Sequence, residues 1–387
     1  MKREGLLFFF GCLVAVGACT TEPSAPPGVC NGLSLPQTTS VPQSLATQVN
    51  VMGGPDAGLG TFDPSLVYPV GAPSGAMAYS VVNTADIATA VAISTDNGAT
   101  WNGAGLVNTA TALSVTVPST STRCPGGTCT GTLVHEVPSL VNDVTDPDLS
   151  RRWKVFVHSY LVLNSGVLAY DLGYLGLFTA PFPSGPWTDE GKAVGWLSES
   201  SFSSDGASTL ASAIPALSDC VALTEPGALV TDAGTLLALG CAYPLAGTGH
   251  IRIELLLSTD HSRTFTYVAP LLGEGDVPTF GSEVNAPDLF IASGRTYLSV
   301  TPSGPTAQGF VGYRGCAILE LTALGDAVER TDAGAPVVCR MLDGPGEPFA
   351  GACTYAEGAG VLGYVLPQMS LDGGAPFRIF KSGVPAP

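Results

Sequence analysis

Short runs of apolar and small residues alternate along the chain with clusters of Gly, Pro, Asp and Ser. No long stretch carries a 3.6-residue apolar period with helix formers, so the pattern predicts strands and turns throughout. A strand-opening motif recurs. Its copies are Asp63-Pro64-Ser65-Leu66-Val67, Val137-Pro138-Ser139-Leu140-Val141, Glu225-Pro226-Gly227-Ala228-Leu229 and Ala286-Pro287-Asp288-Leu289-Phe290, with a weaker fifth at Gly351-Ala352-Cys353-Thr354-Tyr355. Proline suits a strand start, where its missing N–H costs least. Each copy is followed by a second apolar strand, at 77–82, 153–160, 235–241, 295–300 and 361–366. A third strand follows at a similar offset, near 94, 175–179, 258, 316–321 and 377–381.

Five repeats of about 60 to 90 residues predict an all-β fold, a five-bladed β-propeller of four-stranded blades. A pair of β-sandwiches is the alternative. The last unit runs out at its third strand, so the amino-terminal region within 45–52 is expected to supply the outer strand and close the ring. The segment Ser94-x-Asp96-x-Gly98-x-Thr100-Trp101 has the chemistry of a tight hairpin. Asn97-Gly98 provides positive-φ positions, Asp96 accepts turn amides and Trp101 packs back on the sheet. It resembles the Asp-box of sialidase-like and other propellers, where the box is structural. A degenerate copy begins at Ser258 and Asp260, with Ser262 in the Gly position and Phe265 in the Trp position.

Composition agrees with many turns: 48 Gly and 31 Pro among 387 residues, with only 12% charged. The amino terminus reads as a targeting segment. Lys2 and Arg3 precede an apolar run over 6–16, then Val16-Gly17-Ala18-Cys19. That tetrapeptide resembles the lipobox of bacterial lipoproteins, which implies a signal peptide over 1–18, lipid on Cys19 and an exported, membrane-anchored protein of the outer membrane or cell surface. An ordinary secretory signal is the alternative. Residues 19–29 then form a Pro-rich tether, and 30–387 a single domain. The formal charge of −17 becomes −18 when two positive residues and one negative leave with the signal. Such a surface repels nucleic acid and anionic lipid, which excludes both as partners. The expected state is a monomer, attached to membrane through its lipid alone.

Eight cysteines remain beyond Cys12 and Cys19, an even number in an exported chain, which favours disulfides. The expected pairs are Cys124–Cys129 across a Pro-Gly-Gly turn, Cys220–Cys241 between the first two strands of the third unit, Cys316–Cys339 between outer strands of the fourth and, by elimination, Cys30–Cys353. His135, His158, His250 and His261 are scattered and no paired Cys-x-x-Cys occurs, so no metal site or cofactor is expected; a central structural cation stays an open alternative.

Acidic residues gather where the units open: Asp63, Glu136, Glu225 and, further, Glu283 with Asn285 beside it. In a propeller these positions converge at one mouth of the axial tunnel, and neighbouring carboxylates set each other's pKa values apart. With these motifs the chain resembles the five-bladed propeller glycosidases of the arabinanase and invertase type around glycoside hydrolase family 43. The resemblance implies a carbohydrate ligand, Asp63 as base or nucleophile, Glu225 as acid and Glu136 as the carboxylate that tunes the acid. The alternative is a non-catalytic binding or scaffold propeller on the cell surface, its acidic residues capping turn amides. A sialidase is disfavoured: that chemistry clamps a carboxylate with arginines, and no Arg lies between Cys19 and Ser94.

Overall fold

The computed structural model describes residues 30, 37–40, 47–69, 72–83, 86–121, 123–195, 207–210, 214–245, 248–276, 280, 283–305, 311–313, 315–343, 352–356, 360–365 and 377–382. The signal peptide, Cys19 and the tether lie outside them.

The strands fall into five sheets that together form an all-β propeller. The first blade is Gly60–Val67, Gly75–Val82, Ile87–Ser94 and Trp101–Leu106, and the second is Thr128–Asn142, Trp153–Leu163, Leu168–Ala180 and Thr188–Gly195. The third is Ala222–Thr231, Gly234–Leu245, Thr248–Ser258 and Thr266–Leu272. The fourth is built on Glu283–Ala292, Arg295–Pro305, Cys316–Glu320 and Val338–Asp343. Four blades are therefore fully built among the described residues, where five full repeats were expected. The remaining sheet is small: Thr354–Ala356, Gly360–Val365, Arg378–Lys381 and the two-residue strand Thr47–Gln48. Its weaker motif, with Cys353 in the Pro position, already set it apart.

Extra strands decorate the outside. Gln37–Ser40 runs parallel to the outer edge of the fourth blade, and Val51–Met52 runs parallel to Trp101 and Asn102 of the first. With Thr47–Gln48 on Phe380 and Lys381, the segment before the first blade thus covers three successive outer edges.

Each innermost strand breaks register at the same place. The ladder skips Asp63-Pro64, Val137-Pro138, Glu225-Pro226 and Ala286-Pro287. The first residue of each pair is left-handed, at φ 49°, 48°, 51° and 44°, and Ala352 of the small sheet matches at 50°. This is a bulge, which unpairs two residues and re-aims a side chain. Proline fits it because the ladder there needs no donor.

Two residues after each left-handed position, a small polar side chain ties its strand to the next blade. Ser65 Oγ accepts from Leu140 N at 2.9 Å, Ser139 Oγ from Ala228 N at 2.7 Å and Thr354 Oγ1 from Leu66 N at 3.3 Å. In the third blade the position is Gly227, because a Cβ would meet the Pro287 carbonyl oxygen at 2.3 Å. In the fourth blade the position is Asp288, whose carboxyl takes the Leu289 amide of its own strand and bonds to Thr354. Ser139→Ala leaves the buried Ala228 amide without its acceptor and should cost about 1–3 kcal/mol in urea unfolding.

Two hairpins share one hydrogen-bond set. Ser94 Oγ accepts from Gly98 N (2.8 Å) while Asp96 accepts from the Thr100 amide and hydroxyl (2.9 and 2.7 Å). Ser258 and Asp260 do the same with Ser262 and Thr264. Trp101 and Phe265 are buried behind them. Both hairpins join third to fourth strands, at the end of the ring where the innermost strands finish. We call that the lower face, and the end where the innermost strands begin the upper face.

Cys124–Cys129 and Cys220–Cys241 pair as expected. The other two pairings differ: Cys30 bonds Cys339 and Cys316 bonds Cys353, in place of Cys30–Cys353 and Cys316–Cys339. The register explains the exchange. Cys316 stands opposite Leu342, whereas Val338, beside Cys339, stands opposite Leu319, so the two cysteines occupy opposite ends of one ladder. Cys316 instead meets the innermost strand of the small sheet, and Cys339 meets the incoming chain at Cys30.

Candidate active site

The bulge places Asp63 and Glu225 on equivalent positions of the first and third blades, each aimed by a left-handed backbone just above the axis. The other three equivalents are Val137, Ala286 and Ala352. Glu136 is one residue earlier, in the ladder opposite His158. It therefore reaches the mouth from a different rung than the Pro motif implied. Glu283 is two rungs further out, opposite Ser303.

The structure brings all four carboxyl groups into one electrostatic neighbourhood. Asp63, only 4% exposed, is pushed well above the usual carboxylate range by burial, then by the charges of Glu136 and Glu225. Its Oδ2 accepts from Ser80 Oγ at 3.4 Å, and that hydroxyl in turn accepts from Val137 N at 2.9 Å. Glu136 is pushed by burial to about 7, against a hydrogen bond from Tyr160. Glu225, half-buried, rises to about 8: burial dominates, the Ala286 amide opposes it at 2.5 Å, and the charges of Glu136 and Glu283 add to it. Asn285 also bonds Glu225. Asp63, Glu136 and Glu225 therefore resist ionising together, and the site holds protons at neutral pH.

The linkage to stability has a definite sign. Glu136 and Glu225 hold their protons more tightly folded than unfolded, where the ordinary value is 4.5. Their contribution is complete below about pH 4.5 and is lost as pH rises through about 7 to 8. Urea unfolding should give lower stability near pH 9 than near pH 5, and Glu225→Gln should flatten that fall.

Sequence reasoning missed the aromatic wall. Tyr160, Tyr170 and His158 stack at centroid distances of 4.6 to 5.8 Å, and the Tyr160 hydroxyl is bonded to both Glu136 and Tyr170. Tyr170 is partly exposed, and its hydroxyl is pushed up by burial and by the charges of Glu136, Glu225 and Asp63. It sits in a stretch, 170–172, that the ladder between the second and third strands skips. No motif marks that insertion. His158 is buried and held down at about 3 by desolvation, and is therefore a neutral ring at neutral pH. Trp153 and Trp187, by contrast, pack against the core between the first two blades.

Below the bulge the axis narrows to a void of about 10 Å³ between Asp63, the prolines and Asp288, room for about one water. Asp288 is raised to about 7 by burial. Away from the axis, Asp143, Asp146 and His261 form a donor set of the kind that holds a metal. A protein cation occupies it: Lys154 Nζ lies 3.0 Å from both carboxylates. Cys30 and Cys339 beside Glu320 are consumed in a disulfide.

No family model matches the sequence, and no curated protein matches it. Solved structures do. A fructofuranosidase from Schwanniomyces occidentalis complexed with fructose is similar with TM-score 0.52 at 10% identity, over 90% of this chain and 59% of that one. An arabinanase from Bacillus subtilis is similar over 87% of this chain and 95% of that chain, at 15% identity and TM-score 0.47. A family 43 endo-arabinanase from Bacillus licheniformis covers 84% and 94% at 15% identity, with TM-score 0.48. The chain shares a β-propeller fold with the fructofuranosidase. At these identities the likeness is one of architecture.

Proposed function

We propose that the upper mouth binds a glycoside and cleaves it, with Glu225 as general acid, Asp63 as base or nucleophile and Glu136 as the group that keeps Glu225 protonated. The observation that carries this reading is the raised Glu225 carboxyl, at about 8, beside two other buried carboxyls. A general acid must hold its proton at the working pH, and crowded carboxyls achieve that. Burial first, and then the charges of Glu136 and Glu225, hold the Asp63 carboxyl well above its usual range. An oxocarbenium-like transition state brings positive charge to the mouth, and that charge favours ionised Asp63. Tyr170 offers an exposed ring face on which a sugar can stack.

The burial of Asp63 favours a second reading, carbohydrate binding without turnover, because burial opposes the ionised form that a base or nucleophile needs. One experiment separates them. Arabino-, fructo- and xylo-oligosaccharides are offered to the protein, with binding followed by calorimetry and cleavage by product analysis. Cleavage supports the first reading, binding alone the second, and neither removes both. The fructofuranosidase and arabinanase neighbours direct the choice of sugars.

We further propose that the small sheet is a fifth blade closing the ring, since the Ala352 amide donates to Thr301 of the fourth blade and Thr354 accepts from the first. The protein is proposed to be exported and anchored through lipid on Cys19. Cys19→Ala should release it to the soluble fraction.

A further inference from the structure

Among the described residues, the most exposed large apolar side chains lie at one end of the ring. Leu324 (83%), Phe182 (63%), Leu149 (61%), Val144 (60%) and Met52 (55%) head the order of exposure, and all five belong to lower-face turns or to a strand paired there. Val144 and Leu149 lie in the loop after the first strand of the second blade, Phe182 in the turn after its third, and Leu324 in the loop after the third strand of the fourth. The upper-face examples among the described residues, such as Val167, Leu168 and Tyr170, are less exposed. The lower mouth is itself a cavity of about 440 Å³ with apolar walls that include Val67, Leu229 and Phe290. The five side chains are spread over the first, second and fourth blades, an arrangement that suits a plane better than a compact partner.

The chain enters at the same face. Cys30 is bonded to Cys339, which opens the last strand of the fourth blade at its lower end, and packs with Phe290, Ala292 and Tyr297. Cys19 is eleven residues earlier. An extended segment of that length spans at most about 40 Å.

We propose that the lower face rests on a lipid bilayer, its exposed apolar turns dipping into the headgroup region, while the carboxylate mouth faces away. The proposal rests on the anchor proposed at Cys19, and it adds an orientation. Paired acidic groups reduce the local charge: Asp143 and Asp146 with Lys154, and Glu190 with Arg151. The net charge of −18 on the chain from Cys19 onward, the −17 of the full sequence less Lys2, Arg3 and Glu4, nevertheless selects a zwitterionic surface over an anionic one.

The test takes the chain from Cys19 onward, with its other cysteines in disulfides, and couples the Cys19 thiol to maleimide lipid in phosphatidylcholine vesicles. Amide exchange is then compared with the uncoupled protein. The expected result is at least several-fold slower exchange in 143–152, 181–187 and 321–327, with 164–167 and 221–222 unchanged. Phe182→Ser with Leu324→Ser, both on exposed turns, should remove the slowing at their own loops, and phosphatidylserine should weaken it everywhere. Slowing at the upper face, or no slowing on coupling, would overturn the proposal. Concentration-dependent slowing without vesicles would also overturn it, because the face would then pair with a second copy. Coupling is chemical, so the result does not depend on native lipidation. The mass of the protein isolated from membranes tests the anchor separately.

Discussion

Exchanging Glu225 for Gln is expected to lower turnover of the cleaved oligosaccharide by roughly 10²–10⁴-fold while leaving the unfolding midpoint near neutral pH unchanged or raised. The amide keeps the shape and the acceptor for the Ala286 amide but cannot deliver a proton. It also removes a carboxyl that must otherwise ionise inside a crowded cluster as pH rises through about 8, so folding gains on the alkaline side where catalysis loses. Asp63→Asn should cost a similar factor. A glycoside with a good leaving group should recover much of the Glu225→Gln loss and little of the Asp63→Asn loss, since only the first role is protonation of the leaving oxygen. Equal activity in the Glu225→Gln variant would remove Glu225 as the acid.

The second large effect is structural. Lys154 is fully buried between Asp143 and Asp146, both themselves buried, and Asp143 also binds His261 of the third blade at 2.9 Å. Burial raises Asp143, but bonds from Thr145, His261 and Lys154 outweigh it and hold the carboxyl well below its usual range. Lys154→Met removes the buried cation that both carboxylates share, leaving Asp146 with the more distant Arg151 and Arg263 and Asp143 with His261. The expected cost is about 3–5 kcal/mol in urea unfolding at neutral pH, because breaking one side of a buried pair exposes the desolvation penalty of the other. Acidification should shrink that cost as Asp143 takes up its proton. A loss below about 1 kcal/mol would mean that solvent reaches the carboxylates freely.

Much of the strand pattern was legible because a blade repeats a local rule. Pro at a strand opening, an apolar run, a turn and a second run recur wherever the chain must start an innermost strand. Asp63 and Glu225 were legible for the same reason, since they occupy the residue before Pro. Glu136 is not marked by that rule: Val137 holds the bulge position, and Glu136 arrives by the ladder opposite His158. Tyr170 was invisible, since its stretch is an irregular insertion inside a strand and carries no motif. The disulfides failed where topology mattered. Cys124–Cys129 and Cys220–Cys241 are local, whereas Cys316 and Cys339 share a pair of strands yet lie at opposite ends of it. The fifth unit was overrated as a full repeat, and its described strands are short ones.

The central claim is that Asp63, Glu136 and Glu225 form one coupled, proton-holding site. Carbon-13 NMR titration of the labelled side-chain carboxyls tests it most directly, with Asp63→Asn, Glu136→Gln and Glu225→Gln used for assignment. The account predicts that Glu136 and Glu225 titrate near 7 and 8, that Asp63 titrates well above its ordinary range, and that removing Glu136 lowers the other two. Three independent titrations near pH 4, unmoved by the neighbouring substitutions, would contradict it.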